Sequence, residues 1–248
     1  MRRERVNWTR SLVYIAKCIV SQLDHEHSRT PVNCHPIGEN LMEALAEYMT
    51  IAKKHASTDP AHDYLHVVRV YQNARKILVQ EQADSDIVLV GALLHELFNY
   101  PKDHPLSHRS GDVAADMAFD VLAETSFPVE KRERVCDIIR NHAFSKGVIP
   151  DTIEGKILQD ADRLDAIGAI GLARCFATSG SLRRPLYSPE DAFCQNRSPE
   201  GQTFAVDHVF EKLLRIPQTL HTTTARALAE PRMNFISAYL HELREELR

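Results

Sequence analysis

The chain lacks the cysteine spacing of a thiolate zinc protein or a disulfide-stabilised one. Its five cysteines include no CxxC pair, and an odd number cannot all pair within one chain. We therefore expect reduced cysteines and an intracellular, cytoplasmic location. With 248 residues, 44% of them hydrophobic, the chain can bury a substantial core without such cross-links.

Long hydrophobic runs are also missing, since none approaches the roughly 20 residues that a membrane span requires. The N-terminal segment MRRERVNWTRSLVYIAKCIVSQL has basic residues before an apolar stretch, but Arg10 and Lys17 interrupt it. No small-residue cleavage pattern follows. We expect an amphipathic helix there and no membrane partner, with a mitochondrial transit peptide as the alternative reading.

An excess of positive charge is absent as well. The formal net charge is −4, whereas proteins whose main partner is a nucleic-acid backbone usually carry a concentrated basic surface. A small anionic ligand, bound by a few local cations, fits this balance better than a nucleic-acid polymer. The sequence leaves open whether the protein forms a homo-oligomer.

The two-residue alternation of β-strands does not occur, and helical periodicity covers almost all of the chain after residue 38. Residues 24–38 contain two prolines among polar residues, which is typical of a connection. We predict an N-terminal helix and connection over residues 1–38 and one all-α domain over residues 39–248.

Local signals set the expected ends of several helices in this domain. Thr58 or Asp59 caps one helix, with Pro60 in its first turn, and Asp84 or Ser85 starts a helix that is apolar nearly all round. Residues 154–178 read as one helix. Other expected features are a long irregular segment over residues 179–202, carrying Arg183, Arg184 and Tyr187, and helices ended or kinked by Pro217 and Pro231.

A few polar residues interrupt the inward-facing positions of these helices. Each alone would be read as a hydrogen-bonded core histidine or an exposed acid. Burying several carboxylates without partners is costly, and helical bundles avoid that cost by gathering imidazoles and carboxylates around a metal ion. Their occurrence on several helices therefore indicates a shared divalent cation; the residues are His66, His95, Glu96, His142, Asp162 and Asp165.

Five sequence blocks carry a family resemblance; in order they read AHDYLHVVRV, LLHELFNYPK, NHAFSKG, QDADRLDAIGAIGLAR and RPLYSPED. This series resembles the HD superfamily of metal-dependent phosphohydrolases, whose pattern is a histidine, a later His-Asp doublet and a later aspartate. The resemblance extends from about residue 40 to the C-terminus. It implies an all-α HD-domain bundle.

The resemblance further implies that His66, His95, Glu96 and Asp162 coordinate one divalent ion, most commonly Mn²⁺ or Mg²⁺. Asp162 is preferred to Asp165 because it is the aspartate of the DADR core, and Asp165 would then orient a ligand or bound water. One position departs from the family, since Glu96 stands where the family has aspartate. Its extra methylene leads us to expect retained but altered metal binding.

The activity implied is hydrolysis of a small phosphorylated substrate, a nucleotide foremost, by a metal-activated water. His142 is the candidate general acid, with a second-metal ligand or a carbonyl-bonded core histidine as alternatives, and Asp165 supports the catalytic group. Two other readings stay open: a catalytically impaired metal- or nucleotide-binding protein, because of Glu96, and a metal-free helical scaffold. The candidate substrate-binding cations are Lys102, Arg109, Arg163 and Lys212.

Overall fold

The computed structural model describes residues 39–59, 61–101 and 104–248. This part of the chain contains α-helices and no strand, which confirms the all-α prediction. Residues 1–38 lie outside the described residues, so the division at residue 38 stays a prediction. The helices are α1 (Glu39–His55), α2 (Tyr64–Leu78), α3 (Ser85–Leu94), α4 (Ser110–Ala123), α5 (Val129–Arg140), α6 (Ile153–Asp165), α7 (Gly168–Ser181), α8 (Ala205–Glu211) and α9 (Thr223–Glu246).

Helix α3 is the centre of the bundle. Residues 87–94 are all buried, and α1, α2, α4, α5 and α6 pack around them. Gly91 allows α5 to approach closely, because a Cβ atom there would lie 2.6 Å from the Cδ1 atom of Ile138. As predicted, the helix begins at the Asp84 cap, whose side chain accepts a hydrogen bond from the backbone N–H of Asp86. Its C-terminal end therefore lies deep in the protein.

Helix α2 begins later than the sequence signals indicate. Its N-cap is Asp63, whose side chain accepts a hydrogen bond from the backbone N–H of His66 at 2.9 Å. Asp59 instead accepts from the N–H of Ala61 in a local turn. The prediction that Thr58 or Asp59 caps this helix is wrong, because Asp59 uses its side chain to form the preceding turn.

The single helix predicted over residues 154–178 is in fact two. Helix α6 ends at Asp165 and α7 starts at Gly168, whose φ of +76° is in the left-handed region. This glycine reverses the backbone between the two helices without the steric penalty that a Cβ atom would bring. The break directs α6 and α7 along different paths and leaves Asp165 at the end of α6.

A buried aspartate holds the start of the C-terminal helix in place. Asp160 on α6 accepts hydrogen bonds from the backbone N–H groups of His221 and Thr222 and from the Thr222 hydroxyl, which holds the start of α9. Pro217 lies in a short 3₁₀ helix, whereas α9 continues past Pro231 rather than ending there.

The irregular segment after α7 is also anchored. Its Arg197 pairs with Asp207, a fully buried residue of α8. Within the described residues, no helix is both long and apolar enough to cross a membrane.

Candidate metal centre

The described helices bring four of the predicted metal ligands to one buried point. His66 lies on α2, His95 and Glu96 follow the last residue of α3, and Asp162 lies on α6. The Nε2 atom of His66 is 3.4 Å from His95 Nε2, 3.7 Å from Glu96 Oε1 and 3.5 Å from Asp162 Oδ1. His66, His95 and Asp162 have donor atoms within 4.8 Å of one another, whereas Glu96 meets this limit in two other groups, with His62 and His66 and with His95 and His142.

Two of the histidines lie just beyond helix ends and not inside helices as predicted. His95 is the C-cap of α3, and His142 follows the end of α5 at Arg140. The Nδ1 atom of His95 donates to the carbonyl of Ala92 at 2.8 Å. In the same way, His142 Nδ1 donates to the carbonyl of Ile139 at 2.6 Å. Each ring thus donates a hydrogen bond to a carbonyl in the last turn of its own helix. Such carbonyls lack a backbone N–H partner because the helix does not continue.

These hydrogen bonds determine which ring nitrogens are free to bind a cation. Carbonyl and carboxylate oxygens only accept, so the Nδ1 atoms of His66 and His95 carry protons, and the Nε2 atoms are the ring nitrogens that face the cluster. Burial, followed by the neighbouring His142, lowers the pKa of His95 to about 4. The Nε2 atoms of the two rings lie 3.4 Å apart. With the Asp162 carboxylate within 4.8 Å of both, this donor set fits a divalent cation.

The acids of the cluster are ionised. Burial alone would raise the pKa of Glu96, but His62, through its charge and hydrogen bond, and then His95 and His66 outweigh that effect and hold it well below its usual value. For Asp162 the opposing burial is outweighed by His66 first, then His142 and His95, and its pKa falls to about 2. Carboxylates and neutral imidazoles together form a typical site for a divalent cation.

Sequence reasoning missed His62. Its Nδ1 atom donates to Glu96 Oε1 at 3.1 Å, and His62, His66 and Glu96 form one of three groups with donor atoms within 4.8 Å of one another. The only sequence signal was its place in the AHDYLH block, four residues before His66. The other two groups are His66, His95 and Asp162, and His95, Glu96 and His142.

Asp165 contacts the Nδ1 atom of His66, on the side of the ring that faces away from the other candidate ligands. Its Oδ2 atom accepts from His66 Nδ1 at 2.7 Å and from Arg174 at 2.9 Å, while its Oδ1 atom accepts from Arg69 at 2.7 Å. Burial opposes ionisation of this acid, but the hydrogen bonds from His66 and Arg69 lower its pKa. A charged acceptor behind a ligating histidine fixes the ring and increases its basicity.

The four cations assigned to substrate binding have different surroundings. Lys102 lies outside the described residues. Arg163 is buried, and its Nη1 atom donates to the Thr219 carbonyl and to His221, whereas its Nε atom has no hydrogen-bond partner among the described residues. Arg109 is exposed and lies 3.6 Å from the carboxylate of Asp112.

Lys212 lies over an aromatic ring that is close in the sequence to His142. Its Nζ atom lies 5.1 Å from the ring centroid of Phe144, two residues after His142, and the Arg163 guanidinium lies 5.5 Å from the same centroid. The guanidinium of Arg163 and the ammonium of Lys212 thus both interact with the same ring.

Comparisons with known proteins show which family the chain is similar to. The model for the HD domain matches residues 63–167. The protein YpgQ of Bacillus subtilis is 36% identical over 190 residues, which cover 75% of this chain and 84% of YpgQ. The crystal structure of YpgQ in complex with ADP superposes with a TM-score of 0.63 at 34% identity, over 82% of this chain and 97% of that one.

A second solved structure, an HD-superfamily hydrolase of Bacillus thuringiensis, superposes with a TM-score of 0.62 at 29% identity. The match covers 84% of this chain and 98% of the hydrolase. The family model begins at Asp63, the cap of the helix that carries His66, and ends just after Asp165. From these matches we conclude that the chain belongs to the HD-domain superfamily.

Proposed function

We propose that the protein is a metal-dependent phosphohydrolase that acts on a small phosphorylated substrate, a nucleotide foremost. The observation that carries this proposal is the convergence of His66, His95 and Asp162, whose donor atoms lie within 4.8 Å of one another, with the Nε2 atoms of the two histidines 3.4 Å apart. The ADP complex of the relative YpgQ supports a nucleotide as the ligand. The hydrolase of Bacillus thuringiensis supports hydrolysis as the reaction class.

In this proposal His66, His95, Glu96 and Asp162 hold the ion. A divalent cation such as Mn²⁺ or Mg²⁺ supplies Lewis acidity that polarises a phosphoryl oxygen and lowers the pKa of water. Asp165 keeps the His66 ring oriented through its Nδ1 atom. In this proposal the divalent cation, and not a long basic groove, supplies the positive charge that binds the phosphoryl group.

His142 is assigned to proton transfer. Its Nδ1 atom donates to the Ile139 carbonyl, which leaves Nε2 able to accept a proton as water attacks and to return it to the leaving oxygen. The role as a ligand of a second ion uses the same Nε2 atom, and His95, Glu96 and His142 have donor atoms within 4.8 Å of one another. Lys102 and Lys212 are retained as substrate-binding cations, whereas we assign Arg163 to positioning Phe144.

Phosphate release from a panel of nucleotides and a generic phosphoester, with Mn²⁺ and with Mg²⁺, tests the proposal. We expect turnover of at least one compound, and its loss in the His95→Gln variant, which removes a central donor atom. The Lys54→Gln variant, at an exposed position on α1, is the matched control and should retain the activity. Absence of turnover across the panel with both metals would contradict the proposal.

One observation favours a second candidate, a binding protein with impaired catalysis. Both oxygens of Glu96 are already engaged, Oε1 with His62 at 3.1 Å and Oε2 with Asn99 at 2.9 Å. The Glu96→Asp variant separates the two candidates because it restores the family residue and shortens the reach to His62. Turnover in the original chain supports the hydrolase, whereas turnover only in the variant supports the binding protein.

A further inference from the structure

A cavity of about 270 Å³ lies behind the metal centre. Asp165 forms part of its wall and contacts the Nδ1 side of His66, whereas the metal-binding atoms gather at Nε2. One face of α2 forms another wall, with side chains at i, i+3, i+4 and i+7. These are Arg69, Gln72, Asn73 and Lys76.

The lining of this cavity carries an excess of positive charge. Three cations, Arg69, Lys76 and Arg232, face one acid, Asp165. The acid is already neutralised, because Arg69 pairs with it inside the cavity wall and Arg174 pairs with it from outside the lining. The charges of Lys76 and Arg232 are therefore left without a counter-ion at this place.

Neither of these two cations has an acidic partner in the described part of the chain. Arg232 donates to two neutral oxygens, the Leu164 carbonyl and the Asn73 side-chain amide. Lys76 is exposed, and its ammonium group makes no hydrogen bond or ion pair with residues 39–59, 61–101 and 104–248. Arg232 is held in place by its bonds, while Lys76 is free to move toward a ligand.

The backbone at the start of α7 also favours a negatively charged ligand in this cavity. The first residues of α7, Gly168, Ala169 and Ile170, line the cavity, and the N-cap Ile167 offers no side-chain acceptor to their N–H groups. A Cβ atom at Gly168 would lie 3.0 Å from the Cβ atom of Arg232, so the glycine allows the arginine to pack against this helix start. Cations and the first residues of a helix thus line the same cavity.

We propose that this cavity binds a small anion of the phosphate class, either inorganic phosphate or diphosphate. Its volume is below the 300–1,000 Å³ typical of pockets for drug-sized ligands, which favours these anions over a whole nucleotide. Guanidinium and ammonium groups are the side chains that bind phosphate oxygens most strongly. This site is separate from the metal centre and does not depend on hydrolase activity.

Calorimetric titration of the metal-free full-length protein tests the proposal, with inorganic phosphate in one series and diphosphate in another. We expect saturable binding of at least one anion, weakened about tenfold or more by Lys76→Glu and by Gln72→Glu, each of which places a negative charge at the cavity. Lys54→Glu makes the same charge change on α1 and should leave the affinity within about twofold.

The His95→Gln variant distinguishes this cavity from the metal centre, because it alters the cluster and none of the lining residues. We expect it to bind the anion with the affinity of the original chain. The proposal is overturned if neither anion gives saturable binding, or if Lys54→Glu weakens binding as much as Lys76→Glu does. Loss of binding in His95→Gln, with retention in Lys76→Glu, would assign the anion to the metal centre instead.

Discussion

At the scale of the residue, the partner of each Nδ1 atom decides what a histidine can do. His66 donates to an ionised carboxylate, whereas His95 and His142 donate to backbone carbonyls. A carboxylate partner adds negative charge to the ring and increases its basicity more than a neutral carbonyl does. His66 is therefore the candidate ligand whose basicity depends most on a second side chain.

Replacing Asp165 with asparagine tests this dependence. The amide oxygen can still accept from His66, but the negative charge is lost, and we expect the affinity for Mn²⁺ to fall about 10–100-fold. Calorimetry with Mn²⁺ measures this directly, without reference to activity. Asp116→Asn, at a position whose side chain is 77% exposed, is the control and should bind Mn²⁺ normally. Equal affinities in all three proteins would show that Asp165 does not support the ligand.

At the scale of the element, three of the candidate functional residues lie where helices end. His95 follows α3, His142 follows α5 and Asp165 is the last residue of α6. The sequence periodicity located these helices but not their ends. Repeats of apolar residues continue through Ala166 and Ile167, so the pattern alone gave no sign of the break before Gly168.

Gly168→Ala tests the reason for that break. The φ of +76° and the 3.0 Å approach to the Arg232 Cβ atom both penalise a methyl group, and we expect a loss of about 1–2 kcal/mol or more in the free energy of unfolding. Gly180→Ala on the same helix is the control, since a Cβ atom there meets nothing within 4 Å, and it should be neutral or slightly stabilising. Urea unfolding of both variants measures the difference; similar stabilities would contradict this explanation of the break.

At the scale of the whole molecule, a net charge of −4 coexists with local concentrations of positive charge. Near α8, Lys212 and Arg184 surround His208, and burial, followed by these two cations, lowers its pKa to about 4. The neutral form of this histidine is thus favoured by folding. Its protonation links the pH of the solution to the stability of the molecule.

The sign of this linkage follows from the two pKa values. The unfolded chain protonates His208 near pH 6.5 and the folded protein only near pH 4, so the unfolded state binds more protons between these values. Acidification from pH 6.5 to 4 therefore removes stability, at up to about 1.4 kcal/mol per pH unit. In metal-free protein His208→Gln should flatten this decline, as measured by urea unfolding at successive pH values. The exposed control His241→Gln should follow the original chain, and identical slopes in all three would contradict the assignment.

The sequence by itself determined the all-α class, the apolar central helix and the order of the blocks that hold the candidate ligands. These features depend on periodicity and on neighbours a few residues apart. Only the tertiary structure decided that Asp165 accepts a hydrogen bond from His66, 99 residues away in the sequence. It likewise decided that Arg163 donates to the Thr219 carbonyl and that His62 donates to Glu96. Such contacts depend on how separate helices pack, and the orientation of a side chain between them is not encoded in the local pattern.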